Sequence, residues 1–65
     1  MHKRYFYETV NQNPVAMVAG QNVDVVASLT AAFFDSFAYH GYDSHSAFLE
    51  AVTFRDEVPE DSDLN

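Results

Sequence analysis

Residues 3–20 read KRYFYETVNQNPVAMVAG. The opening KRYFYETV is rich in Tyr, Phe, Thr and Val, which suit a half-buried pleated surface. In an extended chain, successive side chains face opposite ways. Tyr5, Tyr7 and Thr9 therefore take one side and Phe6, Glu8 and Val10 the other. Asn11, Gln12, Asn13 and Pro14 follow as a turn, because Asn tolerates unusual backbone angles and Pro14 fixes its own. The apolar run 15–19 then ends at Gly20. Two such runs joined by a short polar connection predict a β-hairpin. Pro14 opens its second strand, where the missing N–H does least harm.

Working outward, Asn22 or Asp24 caps a helix that runs to about Tyr39. At 100° per residue, Val23, Val26, Ala27, Thr30, Phe33, Phe34 and Phe37 fall on one broad face. Asp24, Ser28, Ala31, Asp35 and Tyr39 fall on the other. Gly41 supplies the stop, since it adopts the left-handed conformation found after helix ends. Asp43 or Ser44 caps a shorter helix to about Val52, with Ala47, Phe48, Ala51 and Val52 inward. The short HGYDS connection makes the two helices a packed hairpin.

Beyond Arg55 the sequence is DEVPEDSDLN, which has five acids and no aromatic residue. That composition predicts a flexible acidic tail. The fold class is α+β: an N-terminal β-hairpin packed against two α-helices, forming one domain over 1–55, with an acidic C-terminal tail over 56–65. A lone hairpin leaves two open edges and is barely stable in water. Residues 53–58 adding a third strand is one remedy, and dimerisation through the hairpin edge is another. The sequence does not choose between them.

A chain of 65 residues is one domain with a marginal core. With no Cys, disulfides and thiolate chemistry are excluded. Six Phe, four Tyr and eight Val supply the mass of a core instead. No signal peptide is legible, because Glu8 and Asn11 cut the apolar run after His2, Lys3 and Arg4. No stretch approaches the ~18 apolar residues of a membrane span. The expectation is a soluble protein of the cytoplasm.

Lys3, Arg4 and Arg55 are the only basic side chains, set against ten carboxylates, for a net charge of −7. Residues 5–54 contain neither Lys nor Arg. Such a field attracts basic surfaces and repels nucleic acid. Solubility alone does not require basic residues to vanish from so long a stretch.

Chemistry has few footholds. His40, Asp43 and His45, with Glu50 on the next helix, are ligand types that zinc accepts. No zinc spacing is matched, and a turn flanked by caps explains the cluster. Asp43, Ser44 and His45 adjoin in sequence, whereas hydrolytic triads are assembled from distant segments. Gly20 and Gly41 are the only glycines, so no phosphate-cradling loop exists. The expectation is a protein without catalytic residues, cofactor or metal. Phe33, Phe34 and Phe37 read as core. Tyr39, on the polar helix face with Asp24 and Asp35, is suited to a partner's Arg. In a helix those two acids stand about 16 Å apart along one side. The partner-binding candidates are Asp24, Asp35, Tyr39, Asp43, Glu50, Asp56 and Glu57.

In size, acidity and aromatic content the whole chain resembles the small inhibitors that phages and mobile elements use against host defences. The resemblance is to anti-CRISPR proteins of the DNA-mimicking kind, and it is one of type, without a shared motif. It implies an inhibitor in a bacterial host cell whose partner is a CRISPR surveillance complex, bound at its DNA- or PAM-binding surface. Other basic nucleic-acid-binding proteins fit the charge equally. The alternative is a small homodimeric adaptor or antitoxin-like module using its tyrosine-bearing hairpin. The chain itself is expected as monomer or homodimer, with no direct nucleic-acid or membrane contact.

Overall fold

A computed structural model describes residues 1–57 and gives, in chain order, β1 (His2–Glu8), β2 (Pro14–Gly20), α1 (Val23–Asp35), α2 (His45–Ala51) and β3 (Val52–Glu57). The fold is α+β, with the strands in one antiparallel sheet of order β2-β1-β3. The hairpin is therefore not alone. α2 passes directly into β3, whose first residue, Val52, is already extended. Asp56 and Glu57, expected in the tail, belong to β3. The remainder of the expected tail lies outside the described residues.

The hairpin differs from the sequence reading at its turn. β1 stops at Glu8, so Thr9 and Val10 leave the strand alternation and Val10 is exposed. Gln12, rather than either Asn, takes the left-handed conformation with φ 61°. Its backbone N–H donates to the Glu8 carbonyl at 2.8 Å and its side-chain amide to the Thr9 carbonyl at 2.9 Å. Those bonds offset the small left-handed penalty of a residue with a Cβ. Thr9 N–H in turn donates to the Ala51 carbonyl at 2.9 Å, which ties the turn to the end of α2.

α1 ends four residues before its predicted limit at Tyr39. The cause is Ser36. Its backbone N–H and its hydroxyl both donate to the Phe33 carbonyl, at 3.1 and 2.6 Å, which tightens the last turn and diverts the ladder. A single turn follows over 36–41. It closes with Tyr42 N–H donating to Phe37 C=O at 2.9 Å and Gly41 N–H to Ala38 C=O at 3.1 Å. That pairing, with Gly41 at φ 89°, is a Schellman closure. Gly41 thus stops this turn rather than α1. At the helix starts, Asn22 accepts from Val25 N–H at 3.0 Å and Ser44 from Ala47 N–H at 3.1 Å, so these two are the caps.

Both helices cover one face of the sheet. Phe6, Phe34, Phe48 and Val52 are the buried cluster, with Val18, Ala16, Phe33 and Phe37 packed around it. Phe6 stacks on Phe33 at 4.2 Å between centroids and meets Phe34 edge-on at 5.7 Å. Phe48 lies on Tyr42 at 4.8 Å and on His40 at 5.1 Å. The predicted inner face of α1 is narrower than expected. Val26 and Phe34 are buried, but Val23 is 66 % exposed and Ala27 faces solvent. A three-stranded sheet is too narrow to cover a whole helical flank.

Candidate functional site

Each predicted partner-binding residue sits where its backbone puts it. Asp24 occupies the first turn of α1 and Asp35 its last position, and both are exposed. Tyr39 is carried by the 36–41 turn and is 88 % exposed, the most open aromatic side chain described. It stands outside α1 rather than on its polar face. Its ring meets His40 edge-on at 5.3 Å. Asp43 precedes the Ser44 cap and Glu50 lies near the end of α2, both exposed. Asp35 Oδ1 stands 4.0 Å from His45 Nε2, which brings the end of α1 to the start of α2. Asp35, Tyr39 and Asp43 thus gather around the α1–α2 connection. Glu50 is on the adjoining helix and Asp24 at the far end of α1.

Asp56 and Glu57 belong to a different environment. Cross-strand register sets Arg4 opposite Asp56 and Lys3 opposite Glu57. Arg4 Nε donates to Asp56 Oδ1 at 2.6 Å and Nη2 to Oδ2 at 3.0 Å, a two-pronged pair. Arg4 Nη1 also donates to Thr30 Oγ1 at 3.2 Å, and its guanidinium lies 4.0 Å from the Phe54 ring centroid. The Arg4 hydrogen bonds, and after them its charge, hold the Asp56 carboxyl below its ordinary value, against the opposing effect of burial. Glu57 accepts from Tyr5 OH at 3.5 Å and lies 3.9 Å from Lys3 Nζ. These two acids are engaged by the chain's own cations.

That division is the main electrostatic fact of the molecule. Among the described residues, Asp24, Asp43 and Glu50 have no ion-pair partner, and Asp35 meets only a histidine. The third cation, Arg55, lies 5.2 Å from the Tyr7 ring on the sheet face away from the helices and donates to Gln12 Oε1 at 3.3 Å. The helical layer is consequently acidic without internal compensation, while the basic side chains sit in the sheet.

Among the described residues, no group of three or more His, Asp or Glu is placed to hold a metal ion. His40 is instead occupied with Ser36, Nδ1 lying 3.1 Å from its carbonyl. A recess of about 60 Å³ opens beside Lys3, Arg4, Val23 and Asp56, far below the ~300 Å³ of a small-molecule site. No helix of the described residues is long and apolar enough to cross a membrane. Sequence reasoning missed the Arg4–Asp56 pair. The signal was present as two bases at positions 3 and 4 and two acids at 56 and 57, complementary once antiparallel. Compared with known proteins, the chain matches no family model, no curated protein and no solved structure.

Proposed function

We propose that this protein is an acidic inhibitor that binds a basic nucleic-acid-binding surface of a partner and blocks target-DNA binding there. The observation that carries the reading is the uncompensated helical layer, where Asp24, Asp35, Asp43 and Glu50 are exposed without a Lys or Arg partner among the described residues. A nucleic-acid groove is lined with Arg and Lys placed to meet phosphates, and carboxylates offered at such a surface compete with them. Tyr39, carried by the same α1–α2 connection that Asp35 and Asp43 flank, supplies a flat ring for a partner's guanidinium. Association would be steered by the field and would weaken with salt. By its resemblance in type to DNA-mimicking anti-CRISPR proteins, a phage-encoded inhibitor of a CRISPR surveillance complex is the particular form we favour.

The test is a salt-graded pull-down from bacterial lysate, run with wild-type protein and with D24N/D35N/D43N/E50Q. The expected result is retention of a nucleic-acid-binding complex that moderate salt elutes and DNA displaces, and its loss in the neutralised variant with the fold intact. A partner indifferent to salt, to DNA and to those four substitutions would sink the reading.

One observation favours a second reading. The sheet face away from the helices carries Tyr5, Tyr7 and Met17 without a covering element among the described residues. An adaptor or antitoxin-like module docking through that face would ignore the four neutralisations and fail when Tyr5 or Tyr7 is truncated.

A further inference from the structure

Sheet order leaves β2 and β3 as edges. An edge strand presents unpaired N–H and C=O groups, and proteins blunt such edges with charge, Pro, bulges or a covering element. β3 carries Arg55, Asp56 and Glu57. β2 is PVAMVAG and has no charged side chain. Its blunting is confined to one end, where Pro14 opens the strand and a bulge interrupts pairing between Phe6 and Tyr7. Residues 16–20 pair regularly with β1 on one side and, among the described residues, with no strand on the other.

A second observation lies beside that edge. α1 packs chiefly on β2, with Val25 against Gly20: a Cβ at Gly20 would stand 2.6 Å from Val25 Cγ1. Val25 and Leu29 are four residues apart and so share a helix flank. They are 41 % and 38 % exposed, and Ala32, one turn on, is exposed as well. The uncovered strand edge and this uncovered apolar flank therefore adjoin.

We propose that residues 16–20 of β2 pair antiparallel with the same residues of a second copy, making a six-stranded sheet with α1 packed on its counterpart. The occupant is a second copy because one two-fold axis covers both features. A partner's lone strand would satisfy the edge and leave Val25 and Leu29 in water. The regular stretch centres on Val18, so the axis sets Val18 opposite itself and Met17 opposite Ala19. Distances agree with that axis. From Gly20 back to Val18 is about 6.6 Å along a strand, and from Val25 to Leu29 about 6 Å along a helix, so Leu29 also meets its copy near the axis. With strands ~4.8 Å apart, a helix seated over β2 and β1 stands about 5 Å from the axis. The two helices then lie at about the 8–10 Å of ordinary helix packing. Charge points to the same place. Two chains of net charge −7 repel, and β2, unlike β3, is an edge strand that carries no carboxylate of its own.

The test is sedimentation of the full chain over a range of protein concentration and salt, with hydrogen exchange read on the same samples. A two-chain species is expected whose share rises with concentration. It should also rise with salt, since screening relieves the repulsion between like-charged copies; binding to a basic partner responds in the opposite sense. Amides of residues 16–20 should gain protection with concentration more than those of β3. Leu29→Glu and Met17→Lys both alter exposed positions. Each should keep the native circular dichroism spectrum and raise the dissociation constant about tenfold or more. A one-chain mass up to ~1 mM protein, where even weak dimers form, would overturn the proposal. So would a two-chain species that both substitutions leave intact.

Discussion

β3 and β2 flank the same central strand, yet β3 ends in Arg55, Asp56 and Glu57 while β2 runs from Pro14 to Gly20 without a charge. β3 is held sideways by register and by side chains, because Arg4 of β1 reaches across to Asp56 and Lys3 to Glu57. β2 is held from above, through Val18 and Ala16 in the core and Gly20 beneath Val25. One edge is closed by polar contacts that also discourage a further strand. The other is closed only on its covered face. In an acidic chain whose three bases all lie on β1 and β3, none is left for β2 or for the helices, so the bare edge and the uncompensated helical layer have one origin.

The most severe way to break this comparison is to remove what both edges share. Phe6 is fully buried at the centre of β1 and touches Phe33, Phe34 and Phe54. Phe6→Ala should cost about 3–5 kcal/mol from lost burial and the cavity left behind. That is comparable to the whole stability of a domain this small, at roughly 0.05–0.15 kcal/mol per residue. Urea titration followed by circular dichroism should show loss of the cooperative transition, and hydrogen exchange should show β2 and β3 deprotected together.

A more selective break separates the edges. Arg4→Met keeps much of the apolar stem over Phe54 while removing the pair with Asp56 and the donor to Thr30. The expected loss is about 1–2 kcal/mol, the range for a few partly exposed charge-assisted contacts. Urea midpoints measure it. Exchange then tests its location: amides of β3 should open more readily while those of 16–20 stay near wild type.

The same contrast explains what was legible in the sequence. Alternation in KRYFYE and the apolar run before Gly20 identify β1 and β2, because a half-buried strand must alternate. The caps at Asn22 and Ser44 and the Phe33–Phe34 core are equally local. A third strand is one of two readings of residues 53–58, because TFRDEV reads as the margin of an acidic tail until Lys3 and Arg4 are set opposite it. Its signal is a pairing across some fifty residues, and periodicity within a window does not see it. The end of α1 was missed for a different reason. Ser36 interrupts a pattern whose apolar spacing continues to Phe37, and a side-chain bond to one carbonyl leaves that spacing untouched. Of the candidate site, exposure of Asp24, Asp35, Asp43 and Glu50 follows from helix faces and caps. The engagement of Asp56 and Glu57 does not, since it depends on the strand that sequence left open.

The smallest expected effect is the pH dependence of the β3 edge. Asp56 is held below its ordinary pKa by the hydrogen bonds from Arg4, so its folded value lies below its unfolded one. The stability it contributes is then fully present above the unfolded pKa, about 4. It is lost as pH falls through the folded value. Its carboxylate is half-exposed, so solvent screening keeps the contribution below about 1 kcal/mol. Across the same range the other acids of a −7 chain are being neutralised, which relieves self-repulsion and acts with the opposite sign. The wild-type profile alone mixes the two. Asp56→Asn separates them, since the variant keeps the remaining acids and loses only this titration. Urea midpoints of wild type and variant should differ at pH 6 and draw closer as pH falls below ~4, the unfolded carboxylate value. A gap that stays constant across that range would mean that the β3 edge is held by register and by Phe54 packing, with the Arg4 pair adding nothing that ionisation controls.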